Sequence, residues 1–327
     1  MATVLVYTSS AAGHLYPLMP GLMALRDRGH EVHVRTIDKH VQTVRDHGID
    51  AEPADPRIDA MEITDYKAKA GGERLRRGIT DLIKRGGIQA PDFDRAVEEV
   101  RPDVVLVDAI NYGAMTRAEA LDLPWALFMP SLLPLKGKGI PAYGTGMKPM
   151  AGPIGRARDA VMWKVAERMY GKAVLPGLNE LRAESGLAPL KSPFEMFEAA
   201  DRLMITSGEP LEYERSDLPE KIDFVGPQLW DPPAEAPAWL DEPGDPWILV
   251  TCSTDFTKRP VPASSRNRAA AASVPARLAI AFRSPSRTRS GLSFLNGSDS
   301  PAPASVTRRA TSGWSRPKGT TSIGTDS

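Results

Sequence analysis

The chain of 327 residues has one cysteine, Cys252, so no intramolecular disulfide framework is open to it. That usage fits a reducing, cytoplasmic compartment. Histidine is also scarce: His14, His30, His33, His40 and His47 are all there are, and nothing after His47 can supply an imidazole. No run approaches the roughly 18–20 apolar residues of a membrane-crossing helix. The opening Thr3–Tyr7 lacks the basic flank of a secretory signal. Peripheral contact with a membrane stays open. The glycine-rich phosphate cradles G-x-G-x-x-G and G-x-x-x-x-G-K-[ST] are missing from the first 226 residues, where TSSAAGH holds a single glycine. That counts against a nicotinamide or flavin dehydrogenase.

Acidic residues all but vanish at one point. Residues 257–327 hold two Asp, no Glu and twelve Lys/Arg. With 41 side chains of each sign in the whole, 29 basic and 39 acidic remain for residues 1–256. The formal zero therefore averages a body of −10 and a tail of +10. An acidic body argues against nucleic acid as a partner.

Within that body, strands alternate with helices. Thr3–Tyr7 (TVLVY) reads as a buried parallel strand, 8–13 as a loop of small residues, Pro17–Arg28 as a helix closed by Gly29, and Glu31–Thr36 as a second strand. Together they make a βαβ unit. Ala90–Val100 and Met115–Leu121 read as helices flanking the strand Asp103–Asp108 (DVVLVD), and Trp125–Met129 is another strand. Residues 130–151 form an irregular, partly apolar lobe. Ala157–Tyr170 and Val174–Ser185 are helical, and Arg202–Ser207 and Ile222–Val225 are further strands. The pattern predicts an α/β, Rossmann-like doubly wound parallel sheet. Residues 227–246, with six prolines in Gly226–Trp247, read as an interdomain linker, and 247–256 as the first strand and loop of a second domain.

Two residues in this pattern carry chemistry. His14 lies where the first strand passes into the first helix, at the sheet edge where open α/β folds bind ligands. There it can act as a general base, or simply cap or pack against the helix start. Asp108 ends its strand at that same edge. A carboxylate there can orient the imidazole and stabilise its protonated form, or merely cap the next turn. The remaining histidines fall in the second strand or in solvated charged stretches.

The combined residues resemble a family. SSAAGHLYPLMPGLMALRDRGHEVHVRT, then R-P-D-x-V-x-x-D ending on Asp108, FVGP before the linker and WILVTCSTDF after it are similar to the inverting, nucleotide-sugar-dependent glycosyltransferases of the GT-B fold. The bacterial macrolide and antibiotic enzymes and the UDP-glycosyltransferases are the relatives meant. The resemblance covers residues 1–256, which implies an acceptor-binding domain over 1–226 and the start of a donor domain. It implies His14 as base with Asp108 as partner, a small and fairly apolar hydroxylated acceptor, and a UDP- or dTDP-sugar as co-substrate, with neither cofactor nor metal. Gly13, Ser253 and Thr254 would meet the donor; Tyr16, Asn111 and Ser131 would line the acceptor pocket beside the 130–170 region.

One expectation of the family goes unmet. Its donor domain needs a His/Gly-rich loop whose helix binds the diphosphate, and residues 257–327 are instead rich in Ser, Arg, Ala, Pro and Thr. Arg277–Phe282 is the only apolar run there. The composition predicts disorder, and it is what a GC-rich gene yields when read out of frame. The alternatives are an authentic basic tail, and a chain that is a catalytically inactive remnant or acceptor-binding module. The strand Trp247–Cys252 is expected to lack a sheet to join.

Overall fold

The computed structural model describes residues 1–8, 12–69 and 71–233, and the backbone of two further strands. Seven strands form one parallel sheet: β1 Thr3–Tyr7, β2 Glu31–Thr36, β3 Asp50–Pro53, β4 Val104–Asp108, β5 Trp125–Met129, β6 Arg202–Ile205 and β7 Ile222–Phe224. They run in the order β3-β2-β1-β4-β5-β6-β7, every neighbouring pair parallel. Order reverses between β1 and β4, which creates a crevice beyond their carboxyl ends.

Alternation along the strands explains why both faces are covered. In β1, Val4 and Val6 face one side with Leu106 of β4 and Phe128 of β5, and pack on Leu15, Leu18, Met19 and Leu22. Leu5 and Tyr7 face the other side with Val105, Val107 and Leu127, against Phe93, Trp163 and Leu178. A strand buried on both faces needs a continuous apolar run, and TVLVY supplies one. The first layer holds α1 Ala12–Leu15, α2 Met19–Asp27 and α3 Asp38–Arg45; the second holds α5 Gly71–Val100, α6 Tyr112–Ala120 and α7 Gly152–Glu184. A short α4, Pro56–Ala60, precedes α5. No described helix is long and apolar enough to cross a membrane.

Several boundaries differ from the expected ones, each for a local reason. The first helix begins at Ala12, not Pro17, and a 3-10 turn over Tyr16–Leu18 joins α1 to α2. Pro17 has no N–H to continue an α-helical ladder, so the turn tightens there. The helix expected from Ala90 extends back to Gly71, and the two expected after Pro153 are one continuous α7. Pro91 and Pro176 each delete a hydrogen bond, yet burial of Phe93 and Ala96, and of Val174, Leu178 and Leu181, offsets that loss. The third strand β3, with α3 and α4, was not anticipated: in β3 only Ala51 is buried, which leaves no apolar alternation to read.

Beyond the main sheet, β8 Trp247–Val250 pairs in parallel with β9 Arg277–Ile280. Trp247 therefore begins a strand that does have a partner, contrary to expectation; the partner falls in Arg277–Phe282, the apolar run of note in the tail. The rest of 251–327, including the expected disordered or out-of-frame tail, lies outside the described residues.

Candidate active site

His14 and Asp108 meet at the switch point. Asp108 is the last residue of β4 and shares the parity of Val104 and Leu106, so its carboxylate faces the layer that contains α1. His14 sits on α1, the helix that follows β1. Its Nδ1 lies 2.7 Å from Asp108 Oδ1, with Asp108 fully buried and the His14 side chain 27% exposed. A carboxylate only accepts, so Nδ1–H donates and the Nε2 lone pair is left for another proton. Burial pulls the His14 pKa down, but the charge of Asp108 and its hydrogen bond outweigh that, leaving it above its ordinary 6.5.

Asp108 is itself held. Asn111 Nδ2 donates to the Asp108 carbonyl and to Oδ2, both at 3.1 Å. Gln89 Nε2 donates to Asn111 Oδ1 at 2.8 Å, and the Gly113 N–H donates to Gln89 Oε1 at 3.3 Å. Thr8 Oγ1 stands 3.5 Å from Oδ2. Asn111 and Gln89 are buried. Asn111 was expected to line the acceptor pocket; it lies beneath it, because as the residue before α6 its amide turns back toward the end of β4. Gln89 escaped the sequence reading altogether. Its only signal is a polar side chain four residues before Phe93, on the face of α5 that also buries Asp92, Phe93 and Ala96.

The dyad opens on a cavity of about 210 Å³ that His14 lines with Ala109, Ile110 and Tyr112 after β4, and Met129, Pro130 and Ser131 after β5. Leu75, Ile79, Tyr143, Tyr170 and Phe194 form much of the remaining wall. The expected 130–170 region contributes to the wall, and so does Ser131. Tyr16 does not. Two residues along a helix point about 200° apart, so Tyr16 turns away from His14 and packs edge-on between His40 and Trp230, at 6.0 and 5.2 Å between ring centres. His40, expected in a solvated stretch, is buried on α3 in that same contact. Gly13 lies on α1 next to His14. Ser253 and Thr254 lie outside the described residues, as does any donor contact they make.

A larger cleft of about 400 Å³ runs along β2, β3 and α5. Four of its titratable groups pair with one another: Arg35 with Glu99 at 2.5 Å and His33 with Asp50 at 2.8 Å. The smaller cavity is the better candidate, since it joins apolar walls to a titratable pair. No group of His, Cys, Asp and Glu that could hold a metal occurs among the described residues.

No protein-family model matches the chain. In sequence it is 27% identical over 268 residues to 4'-demethylrebeccamycin synthase of Lentzea aerocolonigenes, taking in 77% of this chain and 63% of the relative. Among solved structures it resembles the calicheamicin glycosyltransferase CalG4 (TM-score 0.55, 16% identical, 88% of this chain and 67% of that one). It also resembles the glycotransferase of kitacinnamycin (TM-score 0.54, 18% identical, 79% and 60%). A third is the spinosyn rhamnosyltransferase SpnG complexed with spinosyn aglycone (TM-score 0.51, 20% identical, 86% and 64%). At these identities the structural likenesses carry the fold. The chain spans less than two thirds of the length of the relative it matches in sequence.

Proposed function

We propose that this chain, a relative of the GT-B antibiotic glycosyltransferases, prepares an acceptor hydroxyl for sugar transfer. The acceptor sits in the apolar cavity and offers its O–H to His14 Nε2. As the proton passes to His14, the oxygen attacks the anomeric carbon of a nucleotide sugar, the bond to the nucleoside diphosphate breaks, and configuration inverts. Asp108 stabilises the imidazolium that forms. General-base assistance of this kind is worth roughly 10²–10⁴ in rate. The observation that carries the reading is the 2.7 Å His14–Asp108 contact at the mouth of an apolar cavity. UDP- or dTDP-sugars are the proposed donors, Gly13, Ser253 and Thr254 the proposed donor contacts, and the cytoplasm the proposed compartment.

A second reading is supported by the composition of residues 257–327, which hold no histidine where the family resemblance places a His/Gly-rich loop. In it the chain binds acceptors without transferring sugar. The experiment is transfer from labelled UDP- and dTDP-glucose by the purified 327-residue chain, with equilibrium binding of the acceptor measured in parallel. Transfer that His14→Ala abolishes while binding persists supports the enzyme. Binding without transfer by the wild type supports the binding module, and no binding at all sinks both.

A further inference from the structure

We infer that Tyr112, Tyr143 and Tyr170 form a hydroxyl-bearing end of the His14 cavity that selects acceptors carrying a second hydrogen-bonding oxygen or nitrogen on an otherwise apolar ring system. This rests on reading the cavity as an acceptor site.

All three tyrosines line the cavity. Tyr112, the first residue of α6, is only 6% exposed. Its hydroxyl makes no hydrogen bond among the described residues, and neither do those of Tyr143 and Tyr170. The other deeply buried phenol of the fold is placed quite differently: Tyr7 donates to Asp92 at 2.9 Å. A buried hydroxyl without a partner is costly, so such a group is usually satisfied by something. The Tyr112 hydroxyl is not among the buried polar atoms sealed from solvent, so it opens on the cavity that its residue lines.

The surroundings keep these groups as donors. Burial, helped by the neighbouring Tyr143 phenol, pushes the Tyr112 pKa up to about 12, and burial raises that of Tyr170. Neither ionises near neutral pH, so each presents an O–H. Tyr170 is braced by Phe194, whose ring centre lies 5.6 Å away and 5.4 Å from that of Trp163. Gly144, at φ 76°, brings the 130–151 lobe against it: a Cβ there would stand 2.8 Å from the Tyr170 hydroxyl. The lobe therefore closes around this end without covering it by a side chain. Apart from His14 and Ser131, the rest of the wall is apolar, with Leu75, Ile79, Met129, Val174, Phe194 and Met196 among it.

Such a site discriminates by leaving its polar group unmet when the wrong ligand enters. A carbonyl, hydroxyl or ring nitrogen accepts from the phenols; a hydrocarbon of equal size does not. At about 210 Å³ the cavity is smaller than the roughly 300–1,000 Å³ of drug-sized ligand sites. It takes one or two fused rings, with the remainder of a larger acceptor left outside.

The test uses two probes of equal ring size with one hydroxyl each: 7-hydroxycoumarin, which adds a lactone carbonyl, and 2-naphthol, which does not. Affinities are read by fluorescence titration of the full chain at mildly acidic pH, where both are uncharged. The wild type should bind the coumarin about tenfold more tightly, the scale of one recovered hydrogen bond. Tyr112→Phe removes a hydroxyl with no protein partner and should melt as the wild type does. It should lose that preference, with the affinity for 7-hydroxycoumarin falling to that for 2-naphthol. Should it melt early, Tyr143→Phe/Tyr170→Phe reads the same loss. Equal affinities in the wild type, or a preference that survives these variants, overturns the inference alone. Failure of the wild type to bind either probe overturns the acceptor-site reading with it.

Discussion

Gly113 at the start of α6 lies directly against the backbone of Gly86 in α5. A Cβ on Gly113 would stand 2.0 Å from the Gly86 carbonyl oxygen and 2.8 Å from the Ala90 nitrogen. Backbone cannot swing aside as a side chain can, so the two helices would have to part. Gly113→Ala is expected to cost about 1–3 kcal/mol in urea unfolding. Because α6 follows Asp108 and Asn111 directly, the variant should also disturb the environment of His14, seen as a changed imidazole NMR shift. A stable variant with an unshifted His14 would show that the contact does not position the site.

The His14–Asp108 pair predicts a pH dependence with a definite sign. The folded His14 titrates above 6.5, held up by Asp108 against the opposing effect of burial. Its contribution to stability is therefore fully present below about pH 6.5 and is lost as pH rises through the folded value. Wild type should exceed His14→Gln in stability most at pH 5–6, with the gap narrowing toward pH 9. For the proposed transfer the dependence runs the opposite way, since a general base must be neutral: transfer should rise with pH through that same value. Asp108→Asn should lower the His14 pKa in an NMR titration and reduce transfer roughly 10²-fold or more. An unchanged pKa in that variant would count against the dyad.

Asn111 and Gln89 should behave as one unit. Asn111→Leu leaves a buried carboxylate short of a donor, and Gln89→Leu leaves the Asn111 carbonyl short of one. Each should cost about 1–3 kcal/mol, and the double variant should cost clearly less than the two together. Strict additivity in denaturant titrations would mean that the bonds do not form a network.

Residues 257–327 are open to a decision at the nucleotide level. If the tail is out of frame, another reading frame downstream of codon 257 should encode alternating strands and helices with a His/Gly-rich loop. Finding no such frame would count against the out-of-frame reading.

Much of the sheet was legible because its strands are buried on both faces. TVLVY, DVVLVD and WALFM are apolar runs too short for helices, and each became a strand within a residue or so of its expected bounds. β3 was not legible, since one buried alanine leaves no pattern. The long helices were read short because Gly86, Gly87, Pro91 and Pro176 interrupt local propensity, while burial against the sheet carries α5 and α7 through them.

From sequence alone came a parallel α/β sheet, a histidine after its first strand and an aspartate closing another, because strand ends and alternation are local properties. Only the tertiary structure set β4 beside β1, brought the two residues to 2.7 Å, turned Tyr16 away and tucked Asn111 beneath Asp108. Those outcomes depend on which face of a helix meets which face of a sheet. Packing across the whole chain makes that choice, and it leaves no trace in local spacing.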